Sequence, residues 1–117
     1  MAYIDAYIVP VARAKLDTYV TSAKEMAALW IEHGALRVTE SLGDDVPLGT
    51  LTSFPRSVMA TDDEVVFLSH VSYRDRAHRD QVNAAVMQDK RMGAIMAQSD
   101  VDGKRMIWGG FEVVISA

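Results

Sequence analysis

The feature that most constrains this chain is the order in which two hydrophobic periodicities alternate along it. From Tyr3 to Val9 the residues are aromatic and β-branched and alternate in polarity, the period of a strand. Pro10 removes a ladder donor and is expected to mark the strand's exit. From about Ala12 to His33 the pattern changes. Leu16, Tyr19, Val20, Ala23, Met26, Ala27 and Trp30 recur at spacings of three and four, the stripe of an amphipathic helix. Gly34 stands where a left-handed C-terminal cap belongs. A second strand is predicted over Ala35 to Leu42, followed by turn-forming residues from Gly43 to Gly49. Thr52-Ser53-Phe54-Pro55 has the hydroxyl cap and early proline of a short helix start. Glu64 to Tyr73 is the most strand-like stretch. Asp75 caps a second helix that runs to Gln88, and Lys90 to Ala97 continue as a short helical turn. Asp102-Gly103 turn the chain into a fourth strand, Lys104 to Ile115, where Gly109-Gly110 predict a bulge or a close backbone approach.

The order β-α-β-β-α-β points to one architecture, a ferredoxin-like α+β domain. It has a four-stranded antiparallel sheet with strands 1 and 3 central and two helices on one face. With 117 residues and no linker, the chain reads as one domain over 1–117. That length buries about two-thirds of the unfolded surface, enough for a core without staples.

Composition excludes several function classes. Cysteine is absent, which removes disulfides, thiolate metal sites and cysteine nucleophiles. The formal charge is −4 and basic residues are interleaved with acids, so nucleic acid is not expected as a partner. No apolar run is long enough for a membrane span. The first residues lack the basic and apolar regions of a signal peptide, so a cytoplasmic protein without membrane association is expected.

Alternation within strands sorts side chains onto two faces. Ile4, Ala6, Ile8, Leu36, Val38, Ile107, Phe111, Val113 and Ile115 are expected beneath the helices. Tyr3, Asp5, Tyr7, Val9, Arg37, Thr39, Met106, Trp108 and Glu112 are expected on the helix-free face. Soluble monomers rarely leave such an apolar patch open. A second copy stacked face to face covers it, so an isologous homodimer is expected.

Asp5, Arg37, Tyr7, Trp108 and Glu112 form the first candidate site. One reading is a polar pocket in apolar surroundings that binds a small molecule, with Asp5 or Glu112 as proton acceptor and Tyr7, Arg37 and Trp108 as binding residues. The other is a salt-bridged dimer interface. His70, in a central strand, is either a catalytic base or a satisfied interior histidine. His33 is placed at a helix C-terminus, and His78 on a solvent-facing first turn. Trp30, Met26, Met92 and Met96 read as core. No histidine pair has metal spacing, and there is no phosphate loop or serine elbow, so no metal and no cofactor are predicted.

Four segments carry a likeness: Tyr3-Ile4-Asp5-Ala6-Tyr7, Asp44-Asp45-Val46-Pro47 with Gly49, Arg79-Asp80 through Met87, and Asp102 through Glu112. They resemble the YbaA-like family of uncharacterised bacterial proteins over nearly the whole chain. The resemblance implies the dimeric α+β barrel superfamily, which includes cofactor-independent monooxygenases, isomerases and ligand-binding regulators, and transfers no catalytic residue. Two function classes follow: a homodimer that binds a small apolar molecule, with monooxygenase- or isomerase-like activity, and a non-catalytic interaction or regulatory module.

Overall fold

A computed structural model describes residues 1–117. In chain order the elements are β1 (Tyr3–Ala12), a 3-10 turn (Arg13–Lys15), α1 (Leu16–Glu32), β2 (Arg37–Leu42), α2 (Phe54–Ser57), β3 (Glu64–Tyr73), α3 (Arg76–Gln88), α4 (Lys90–Ser99) and β4 (Ile107–Glu112). The strands form one antiparallel sheet in the order β2-β3-β1-β4, so β1 and β3 are central as expected.

Local chemistry sets the boundaries. Asp75 caps α3 by accepting from the His78 N–H at 2.8 Å. Asp89 ends α3 in extended backbone and caps α4 through the Arg91 N–H at 2.9 Å. Gly34, at φ 112°, ends the first helix as the sequence predicts. Pro10 does not end β1, which continues to Ala12. The Val66 carbonyl accepts from Gly43 N–H on the β2 side, so the Val66–Pro10 pair is the non-hydrogen-bonded kind and Pro10 presents its missing donor toward β4. The β1–β4 pairing reaches only Ile8, so no ladder bond is lost. β4 is shorter than predicted at both ends. Its register through Gly109 and Gly110 is continuous, without a bulge.

Helices α1, α3 and α4 cover one face. Leu29 and Trp30 of α1, Val82 and Val86 of α3, and Met92 and Ile95 of α4 meet Val71 and Tyr73 of β3 in the main core. Tyr3 and Tyr7 pack against that core, and Val9 and Val11 enter a neighbouring cluster with Tyr19 and Phe67. The facing of β1 and β4 is therefore the reverse of the expectation. Tyr3, Asp5, Tyr7, Val9, Trp108 and Glu112 lie on the helix side, and Ile4, Ala6, Ile8, Ile107 and Phe111 on the helix-free side. Both sets are apolar enough to be buried, so alternation separates them without saying which one meets the helices. The decision falls to α3, which carries partners for Asp5.

The helix-free face is not wholly bare. Residues 43–61, including α2, fold onto one end of it, where Val46, Val58 and Ala60 pack on Ile8 and Val66. Leu68, Ile107 and Phe111 elsewhere on that face stay exposed.

Candidate functional site

Asp5 is fully buried, and its register partner on β4 is Gly110. A lone buried carboxylate is costly, so its charge has to be compensated locally. α3 does this with two residues one turn apart. Arg79 Nε donates to both carboxylate oxygens, at 3.0 and 3.1 Å, and Asn83 Nδ2 donates to Oδ2 at 3.3 Å. The i, i+4 spacing puts both donors on one helix face.

The network continues inward with a fixed direction. Trp30 Nε1 can only donate, and it donates to Tyr73 Oη at 3.0 Å. The Tyr73 proton then goes to Asn83 Oδ1 at 3.0 Å, which turns the Asn83 amide donors toward Asp5. Burial raises the Tyr73 pKa and keeps that donor neutral. Burial, and then the Asp5 charge, push the Tyr7 phenol up to about 12.

Arg79 links this core to the surface. Its Nη1 donates to Asp80 at 2.8 Å, and its guanidinium lies 5.1 Å from the centroid of the Tyr3 ring. Burial opposes its charge, but the hydrogen bonds to Asp80 and Asp5 outweigh that and hold its pKa above the ordinary arginine value. Nη2 has no acceptor within the chain. It lies with Tyr3 Oη in the space a Cβ would occupy at Gly110. The Gly109-Gly110 pair is thus the close approach the sequence allowed for, made by an arginine and a tyrosine rather than by backbone.

On β4 the positions on the helix side run Trp108, Gly110, Glu112, each about 6.7 Å from the next. The helices leave this row open: Trp108 is 60% exposed, with its ring stacked on Tyr7 at a centroid distance of 6.3 Å, and Glu112 is exposed as well. An aromatic platform, a free guanidinium donor and a carboxylate therefore share one shelf.

The structure brings Asp5, Tyr7, Trp108 and Glu112 to one face and separates Arg37 from them. Arg37 lies across from Ser72 on the helix-free side, next to His70, which is opposite Ala6 and Thr39. His70 is therefore not under the helices. His78 is buried rather than solvent-facing. Its Nδ1 accepts from the Arg74 N–H at 3.0 Å, and its ring meets Tyr73 edge-on at 5.8 Å. Sequence reasoning missed Arg79 and Asn83. Their signal was a pair of polar residues at i, i+4 beside the buried Val82 and Val86 of the same helix.

Elsewhere, Glu32, His33 and Asp89 place their ligand atoms within 4.8 Å of one another. Arg91 already bonds both carboxylates there, so the group is an ion-paired helix junction. The clefts of about 160 Å³ beside Lys15 and Arg105, and of about 430 Å³ between α1 and α4, lie away from the Asp5 network. No helix is long and apolar enough to cross a membrane.

Comparison with known proteins agrees with this architecture. The chain matches SnoaB, a cofactor-independent oxygenase from Streptomyces nogalater, at a TM-score of 0.65 and 13% identity, covering 98% of this chain and 95% of that one. It matches a dimeric ferredoxin-like protein from an uncultured marine organism at a TM-score of 0.64 and 10% identity over the full length of both. At these identities the likeness is one of fold. In sequence, it is 41% identical over 115 residues to the uncharacterised protein YbaA of Escherichia coli K12, covering 98% of each. Residues 2–103 match the family model described as Protein of unknown function (DUF1428), and the chain belongs to that family.

Proposed function

We propose that this protein is a homodimer that binds a small, largely apolar molecule on the β4 shelf and acts on it without a cofactor. One observation carries the reading: Trp108 remains open on the face where every other large aromatic ring is at least half-buried. A planar ligand stacked on Trp108 puts an oxygen within reach of Arg79 Nη2, and an acidic C–H near Glu112. Glu112 then takes the proton, the developing oxyanion is held by Arg79, and return of the proton at another carbon gives an isomerase-like reaction. The same carbanion is what a cofactor-independent oxygenation starts from, the activity class of SnoaB. Asp5, saturated by Arg79 and Asn83, serves as the positioning residue for Arg79.

The dimer reading rests on the helix-free face. A four-stranded sheet with strands of up to ten residues spans about 20 by 33 Å. With β2 and β4 only six residues long, the flat outline is smaller than the roughly 800 Å² per partner of a standard interface, and it is the exposed Leu68, Ile107 and Phe111 on it that support the reading. The non-catalytic alternative is favoured by one feature, the complete hydrogen bonding of Asp5.

Titration with 1-naphthol tests the binding site. There are only two tryptophans, and Trp30 is buried, so a ligand on the shelf changes the emission of Trp108. The Trp108→Phe variant should lose that response. Unchanged emission up to millimolar probe, or an equal response from Trp108→Phe, rejects the shelf as the site.

A further inference from the structure

We infer that in the dimer each protomer's α2 lobe caps the open end of its partner's sheet, with Leu51 and Phe54 of one copy packed on the partner's Ile4, Phe111 and Ile115. This rests on the dimer reading above and specifies which surfaces meet.

The helix-free face has two unlike ends. At the Ile8–Val66 end it is covered by the lobe of residues 43–61, anchored through Val46, Val58 and Ala60. That lobe also displays apolar side chains to solvent, with Leu51 91% and Phe54 53% exposed. At the other end, about 13 Å along β1, Ile4 pairs with Phe111 of β4, and nothing covers them. Phe111 is 55% exposed there, and the tail beyond β4 adds Ile115 at 85%. Val113 N–H ties that tail to the Ala2 carbonyl at 2.9 Å, on this same end of the sheet. Two exposed apolar sets therefore sit at opposite ends of the sheet, beyond what an isolated protomer usually leaves in water.

Symmetry decides how they meet. Face-to-face stacking puts the two-fold axis in the plane between the sheets. Sheets in direct contact lie about 10 Å apart, a distance their own side chains fill, so a lobe about 10 Å thick holds them further apart and leaves room for one such layer, not two. An axis along the strands would bring both lobes to the same end, over the same central strands β1 and β3, where they collide. An axis across the strands sets each lobe over the partner's open end. The contact is then self-complementary, lobe to open end and open end to lobe, as an isologous interface requires.

The absence of cysteine gives a clean test. A chain carrying Leu51→Cys and Phe111→Cys should form a covalent dimer on mild oxidation, seen at twice the protomer mass on a non-reducing gel. Leu51→Cys alone and Phe111→Cys alone should not cross-link, since the lobes of the two copies lie at opposite ends. In the otherwise unmodified chain, Leu51→Asp should weaken association at least tenfold while the circular dichroism spectrum is unchanged. If light scattering shows a dimer but Leu51→Cys alone cross-links, or the double variant gives no covalent dimer, the capping arrangement is overturned and the dimer stands. A monomer at micromolar concentration overturns both.

Discussion

The two faces of the sheet are made from the same strands yet tolerate different residues. On the helix side, a carboxylate sits at the centre of the core because α3 delivers an arginine and an asparagine to it. On the other side, the polar positions are Arg37, Thr39, Ser41, His70 and Ser72, and the acid Glu64, at the end of β3, is held by Arg105. Leu68, Ile107 and Phe111 are apolar and half-open there. A face covered by its own chain can hold a charge, because the counter-charge arrives by folding. A face awaiting another molecule keeps to groups that survive either in water or against a second apolar surface.

That contrast can be broken first at Arg79. Arg79→Ala strands the Asp5 carboxylate in the core, and urea unfolding should show a loss of about 3–5 kcal/mol. A double variant that also replaces Asp5 with Asn should recover much of it, since the uncompensated charge is then gone. If Arg79→Ala were neutral, Asp5 would not be held by this pair.

On the opposite face, Leu68→Asp should leave protomer folding nearly unchanged, because the side chain is already exposed. Its effect should appear in assembly, weakening the dimer by about 100-fold, or roughly 3 kcal/mol, in sedimentation equilibrium. An unaltered dimer would place the interface elsewhere. Tyr73→Phe comes next. It leaves the Trp30 N–H without an acceptor and Asn83 Oδ1 without a donor, for an expected cost of about 1–3 kcal/mol in the same urea assay.

The smallest effects are expected in pH dependence. Tyr7 titrates near 12 in the folded chain and near 10 when unfolded, so its contribution is complete below pH 10 and disappears as pH rises toward 12. The acid limb involves Glu64. Hydrogen bonds from Arg105 outweigh the cost of its burial and lower its pKa to about 2. This ion pair therefore contributes fully above about pH 4.5 and is lost as pH falls toward 2. Arg105→Gln should flatten that limb of the stability profile, and an unchanged limb would assign acid sensitivity to other carboxylates.

The fold was legible because it depends on local signals that each occupy a few residues. Spacing marked the first helix from Leu16 to Trp30, Gly34 supplied its stop and Asp75 the cap of α3, and the order of elements left one sheet topology. The site was legible only in part. Asp5, Tyr7, Trp108 and Glu112 share a face because they are two apart on a strand or directly paired across strands. Arg37 was grouped with them because it too stands out as polar in a strand, but its parity relative to β1 is fixed by the β2–β3 register, which the sequence does not state. Arg79 and Asn83 went unnoticed because, read locally, they are ordinary polar residues of a helix.

Periodicity and capping thus determined the elements, their order and the sorting of each strand into two sets of side chains. Which set turned toward the helices was decided only in three dimensions. Two apolar faces compete on nearly equal terms for the same cover, and the balance is tipped by pairing between residues far apart in the chain, Asp5 with Arg79. Such a contact forms only after the helix has docked, so no local pattern can announce it.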